Sequence, residues 1–138
     1  MGVKKTVSKL KKELDSWFSK YIRLREATDT GAAQCFTCGK VAHYKLGMQC
    51  GHFQSRKWHN TRWNEQNCQV QCVKCNMFGQ GEQYKFGMYL DAKYGEGTAE
   101  ELEYLSKVNI KMMPIDYVEK ISYYKDLVNK IKKEKNIE

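Results

Sequence analysis

The sequence predicts an α+β protein in which a small, cysteine-stapled core of short strands is surrounded by α-helices. Two C-x-x-C pairs, Cys35/Cys38 and Cys72/Cys75, bracket the least helical part of the chain. Apolar residues recur at three- and four-residue steps before this section and again after it, the spacing of amphipathic helices. With 138 residues the chain has room for one domain and a modest core. We divide this single domain, 1–138, into an N-terminal helical segment 1–31, a stapled core 34–81 and C-terminal helices 82–138.

From Thr6 to about Thr28, Leu10, Leu14, Trp17, Phe18, Tyr21 and Leu24 fall on one helical face, and Gly31 is a natural stop. The middle section has apolar stretches at Val41–Leu46 and Met48–Phe53, with Gly39, Gly47 and Gly51 at turn-like positions. It reads as two short strands or a hairpin, then a polar loop through Asn60, then a helix starting near Cys72. Tyr84 to Tyr94 continues or resumes a helix, closed by Gly95 and Gly97. Thr98 and Glu101 have the spacing of a capping box, in which each side chain satisfies a free amide at a helix start. That helix should turn Leu102, Leu105 and Val108 inward. Pro114 suits the first turn of a last helix, with Ile115, Val118, Ile121, Tyr124 or Lys125, Val128 and Ile131 as an imperfect apolar stripe.

Lys and Arg number 24 against 16 Asp and Glu, a formal charge of +8. Such an excess in a small chain favours a polyanionic partner, nucleic acid above all. The basic clusters at the two ends (Lys4, Lys5, Lys9, Lys11 and Lys12; Lys132, Lys133 and Lys135) read equally well as solvated surface. No apolar run approaches the roughly 18 residues that cross a bilayer, and the Met1 end lacks a signal-peptide stretch. The expectation is a cytoplasmic protein with no membrane partner.

In a reducing compartment six cysteines are poor material for disulfides. Two C-x-x-C pairs can instead place four thiolates tetrahedrally around one zinc ion. Filled by four sulfurs, that zinc has no open position, so it is structural and not catalytic. Its affinity would add to a small core, because metal binding is coupled to folding.

Inside the staple lie Gly51-His52-Phe53, then Asn67 shortly before the second pair, then Asn76 directly after it. Taken alone, His52 reads as a structural histidine or a spare zinc ligand. Its order relative to the cysteines and to the two asparagines resembles the HNH nucleases that carry a cysteine-bound zinc. The stretches C-F-T-C-G at Cys35–Gly39, G-H-F at Gly51–Phe53, R-W-N-E-Q-N at Arg62–Asn67 and Q-C-V-K-C-N at Gln71–Asn76 resemble, more narrowly, the NinG (Rap) family of lambda-like phages. The likeness extends from Trp17 to Leu105, through W-F-S-K-Y-I-R-L-R at Trp17–Arg25 and Gly81 and Tyr84 after the core.

The resemblance implies a zinc-bound ββα-metal (HNH) core and a metal-dependent endodeoxyribonuclease cutting branched recombination intermediates, D-loops and Holliday junctions. It implies His52, Asn67 and Asn76 as the catalytic set. The residue types suit that chemistry. A neutral imidazole takes a proton from water near neutral pH, and an amide oxygen such as that of Asn76 suits magnesium or manganese bound to phosphate. Asn67 would hold the loop and the His52 ring. The acidic residue that many HNH enzymes place before the histidine is Gly51 here, after Cys50. Asn64, His59 and DNA phosphate itself are the remaining candidates to hold the cation. Arg56, Lys57, Arg62 and Lys74 flank the site as phosphate contacts. Trp63 is expected to pack, whereas Trp58 either packs or stacks on bases. Branch preference calls for a shape-reading surface, which a homodimer could pair. The alternatives are a non-catalytic zinc-dependent DNA-binding module and an HNH nicking enzyme without branch preference. A sequence-specific homing or restriction enzyme fits less well, since no base-reading domain is evident.

Overall fold

A computed structural model of the chain describes residues 5–138. Lys4 and the first residues of the expected N-terminal segment lie outside them. The element order is α1 (Val7–Leu24), β1 (Ala32–Gln34), β2 (Val41–His43), β3 (Met48–His52), α2 (His59–Arg62), β4 (Cys68–Cys72), a π-helical turn (Lys74–Phe78), α3 (Gln83–Tyr94), α4 (Thr98–Ser106) and α5 (Pro114–Lys135). The mixed α+β class is as expected.

Helix α1 begins where Thr6 accepts a hydrogen bond from the Lys9 amide at 3.2 Å, a side-chain cap for an otherwise unpaired donor. Its stripe Leu10, Leu14, Phe18 and Ile22 is buried against Tyr117, Ile121 and Tyr124 of α5 and against Trp63 and Cys68. Each such side chain contributes about 1.5–3 kcal/mol through burial. The two helices run alongside with matched ends. At the far end the Lys135 ammonium donates to the Leu24 carbonyl at 3.1 Å and also to that of Ala27, so a cation meets the negative end of α1. The residues 82–138 therefore do not pack as a separate layer: α5 shares its core with α1.

Two antiparallel pairs of strands sit beside this helix pair, β1 with β2 and β3 with β4. In the second pair Met48 faces Cys72, Cys50 faces Val70 and His52 faces Cys68. Strand β4 was not foreseen. Its letters alternate apolar and polar (Cys68, Val70 and Cys72 against Gln69 and Gln71), the pattern of a strand with one wet face, yet all five residues are buried. The helix expected near Cys72 begins instead as a π-helical turn after the strand ends.

The glycine between Cys50 and His52 is dictated by β4. A Cβ at Gly51 would stand 1.9 Å from Gln71 Oε1. Gln71 cannot swing clear, because its amide donates to Thr37 Oγ1 at 3.0 Å and to the Gly81 carbonyl at 2.9 Å. Gly51→Ala should therefore cost about 2–3 kcal/mol in chemical denaturation, from overpacking and broken buried hydrogen bonds. A change below half a kcal/mol would show that the strands part freely.

Phe86 of α3, Leu90 of α3 and Leu102 of α4 form a third cluster against Phe36 and Phe53. The expected capping box does not form. Thr98 donates to the Gly95 carbonyl at 2.7 Å, and Asp91 accepts from the Ala99 amide at 2.9 Å instead. Of the three residues expected inward, Leu102 is buried and Val108 is exposed. The α5 stripe is rotated at its start: Tyr117 is buried while Ile115 and Val118 are exposed. Pro114 opens α5 as expected.

Candidate functional site

Cys35, Cys38, Cys72 and Cys75 converge, each offering a sulfur within 4.8 Å of the other three. The turn after β1 brings the first two together. Gly39, at φ +81°, lets the chain double back so that its amide meets the Cys35 carbonyl at 3.0 Å. The Lys40 amide points at Cys38 Sγ and the Cys75 amide at Cys72 Sγ, each at 3.5 Å. Burial raises the Cys35 thiol, but the Cys72 backbone and the Thr37 hydroxyl outweigh it and bring it down to about 6. Burial and the neighbouring sulfurs push Cys75 up to about 12. One thiol ionises readily while another resists, and a cation among them is what would let all four become thiolates. Sulfur donors in this number suit zinc, and the four cysteines can hold it.

Beside this centre lies a cavity of about 940 Å³ lined by Asp15, Ser19 and Arg23 of α1, Gln49, Cys50 and His52 of β3, Arg56, and Asn76 and Met77 of the π-helical turn. His52 and Asn76 thus open on one space. The His52 ring hydrogen-bonds through Nε2 to the Arg62 carbonyl at 2.9 Å. A carbonyl only accepts, so Nε2 carries the proton and the lone pair is on Nδ1. Burial lowers the His52 pKa below the ordinary imidazole value, against the opposing pull of the Arg62 carbonyl. The Asn76 amide donates to Gln49 Oε1 at 2.7 Å, which leaves its own carbonyl oxygen for another partner.

Asn67 does not line the cavity. It is fully buried, accepts from the Gln54 amide at 2.7 Å and donates to the carbonyls of Gln54 at 3.1 Å and Thr61 at 3.0 Å. It therefore clips the loop after His52 onto α2, whose Arg62 carbonyl orients the ring. Asn64 and His59 are also placed elsewhere. Asn64 accepts from the Gln66 and Asn67 amides at 2.9 and 3.0 Å, closing a turn. His59 meets the Tyr117 hydroxyl at 3.1 Å and stacks edge-on against Trp63.

Among the expected phosphate contacts, Arg56 is at the cavity and largely exposed, 3.8 Å from Asp15. Lys57 and Lys74 are exposed. Arg62 is engaged otherwise: its guanidinium makes a two-pronged pair with Asp15 at 3.1 and 2.5 Å. The Trp63 indole donates to the same carboxylate at 2.9 Å, and Trp63 is buried as expected. Trp58 has the Lys107 and Lys57 ammoniums 4.1 and 4.6 Å from its ring centre.

Sequence reasoning missed Asp15, Arg23 and Gln49. Asp15, Ser19 and Arg23 recur at four-residue steps along α1, so a second stripe lay beside the apolar one. Arg23 is held by the Tyr44 carbonyl at 2.7 Å. Gln49 had no such signal, because its role depends on the hydrogen bond to Asn76.

The fold and site define a small α+β protein in which a four-cysteine cluster able to hold a metal ion adjoins a cavity lined by charged, polar and apolar residues. Across residues 2–134 the chain matches the family model described as Bacteriophage Lambda NinG protein, and it belongs to that family. Membership suggests a role related to phage recombination. No curated protein and no solved structure gives a significant match. No helix among the described residues is long and apolar enough to cross a membrane.

Proposed function

We propose that the chain is a metal-dependent endodeoxyribonuclease of the HNH type that cuts branched DNA intermediates of phage recombination. One observation carries the reading: the Arg62 carbonyl holds the proton of His52 on Nε2, leaving a basic Nδ1 on a ring that lines the same cavity as Asn76.

Strands β3 and β4 and the turn that follows them correspond to the ββα-metal element, with the four cysteines holding its structural zinc. In the proposed reaction Nδ1 of His52 takes a proton from water as its oxygen attacks phosphorus. Asn67 acts at one remove, fixing the loop and α2 so that the Arg62 carbonyl keeps the tautomer. Asn76 would hold magnesium or manganese through its free carbonyl oxygen, with DNA phosphate oxygens completing most of the shell. That cation supplies charge stabilisation at the phosphate and the leaving oxygen. The donors fit a weakly held hard cation that arrives with its substrate, since the cavity carboxylate Asp15 is already paired with Arg62.

The DNA backbone would run over Arg56, Lys57 and Lys74. Phe78 and Tyr84 are each 81% exposed, next in sequence to the cavity residues Met77 and Gln83. Exposed aromatics beside such a site suit the unstacked bases of a branch point.

The base must be neutral to accept a proton. Activity should therefore hold above the His52 pKa and fall as pH drops through it. Because burial lowers that pKa, the acid limb of the rate profile should lie below pH about 6.5. A limb centred at pH 8 would point to a different base. The reading itself is tested by comparing junction, D-loop and linear duplex at one salt concentration with magnesium or manganese. Cutting of the branched forms in preference is expected. Binding without cutting of any form would favour the inert zinc module.

A further inference from the structure

Cys50 and Cys68 take no part in the four-cysteine centre or in the proposed hydrolysis. In the register of β3 and β4, His52 faces Cys68 and Cys50 faces Val70. Side chains alternate between the faces of a strand, so Cys50, His52 and Cys68 project on one side. One donor atom from each lies within 4.8 Å of the other two, as do those of Cys35, Cys38, Cys72 and Cys75 among themselves.

We propose that Cys50, His52 and Cys68 form a second metal site, for a thiophilic ion of the zinc class. Two sulfurs and an imidazole are donors for zinc or its congeners and not for magnesium. Around tetrahedral zinc, with bonds of about 2.0–2.3 Å, such donors stand about 3.5–3.8 Å apart. Side-chain adjustments of about 1 Å would bring these three to that distance.

The trio already gathers about one point. His52 Nε2 and Cys68 Sγ both reach the Arg62 carbonyl, at 2.9 and 3.5 Å. An arriving ion exchanges with the two thiol protons, which leave to water; taken on Nε2, it replaces the bond to the Arg62 carbonyl and the ring proton moves to Nδ1. Entry is from the cavity, which Cys50 and His52 line, while Cys68 is wholly buried beneath. Three protein donors leave a fourth position for water, unlike the closed four-cysteine set.

An ion held here engages the ring that acts as base in the proposed reaction. Zinc in excess of the structural equivalent would then silence cleavage. This consequence rests on the hydrolytic reading; binding does not.

The test is a cobalt(II) titration of the metal-free full-length chain under a phosphine reductant. The readouts are thiolate-to-cobalt charge-transfer absorbance and metal content after desalting. Wild type should take two thiolate-bound ions per chain, and Cys50→Ser and Cys68→Val one each. Cys68→Val removes a buried group and risks the fold, whereas Cys50→Ser alters a partly exposed one, so the latter decides. A wild type saturated by one ion, or a Cys50→Ser variant that still takes two, overturns the proposal. In a second arm, one extra equivalent of zinc should slow magnesium-dependent cleavage at least tenfold. Two counted ions in a protein that cuts no DNA would uphold the site and refute the hydrolytic reading.

Discussion

His52→Ala should lower the cleavage rate by about 10²–10⁴-fold, the range for loss of a positioned general base. The size of the effect follows from the single free lone pair. Nε2 is committed to the Arg62 carbonyl, and the other two histidines are not positioned to substitute. His59 packs on Trp63 and Tyr117, and His43 lies on β2. The variant should keep its fold, because the residue is only partly buried and β3 is held in register by backbone pairing with β4 from Met48 to His52. Single-turnover rates at saturating DNA, beside thermal unfolding of the same preparation, make the check. A variant that unfolds normally and cuts at the wild-type rate removes His52 from the chemistry.

Removing the metal from the four-cysteine centre should have the largest effect on stability. Structural zinc in comparable small sites is worth about 10–16 kcal/mol of apparent binding energy, and that energy is coupled to folding. The loss would not stay local. Cys35, Cys72 and Cys75 belong to one buried cluster with Leu24 of α1, Tyr44, Val70 and Val128 of α5. Unclamping the sulfurs loosens the ends of both long helices and the β3–β4 pair that presents His52. A strong chelator, or Cys72→Ser, should lower the melting temperature by about 10 °C or more and abolish any cleavage. An unchanged melting curve after verified metal loss would mean that the apolar cluster holds the strands unaided.

The parts that were legible in the sequence are those with a period or a fixed spacing. Leu10, Leu14 and Phe18 announce α1 through their three- and four-residue steps, and Pro114 marks the start of α5. The two C-x-x-C pairs meet in space as their spacing suggested. Strand β4 carries the alternation of a strand with one wet face in Cys68–Cys72; what the letters hide is that both faces are buried, Gln69 and Gln71 included. Gln69 donates to the nearby Gln66 carbonyl and to the distant Tyr94 hydroxyl, and Gln71 donates to Thr37 and the Gly81 carbonyl while its Oε1 is left without a partner. Pairing of this kind cannot be seen locally. The same reason hid the fate of Arg62, which looked like a phosphate contact until Asp15, far back on α1, came to meet it. His59 and Asn64 were near His52 in sequence, but α2 and the turn after it direct them to other partners. His52 and Asn76 are different, because the strand pair fixes one and the cysteine clamp fixes the other.

The proposed cleavage needs one space in which the imidazole of His52 and the carboxamide of Asn76 act on a phosphate held by a divalent cation. Crystals of His52→Ala bound to a branched oligonucleotide and soaked in manganese would locate that cation directly by its anomalous scattering. We predict a peak within about 2.5 Å of the Asn76 carbonyl oxygen and of a backbone phosphate, in the cavity vacated by the ring. A manganese peak elsewhere, with the DNA backbone far from Asn76, would contradict it.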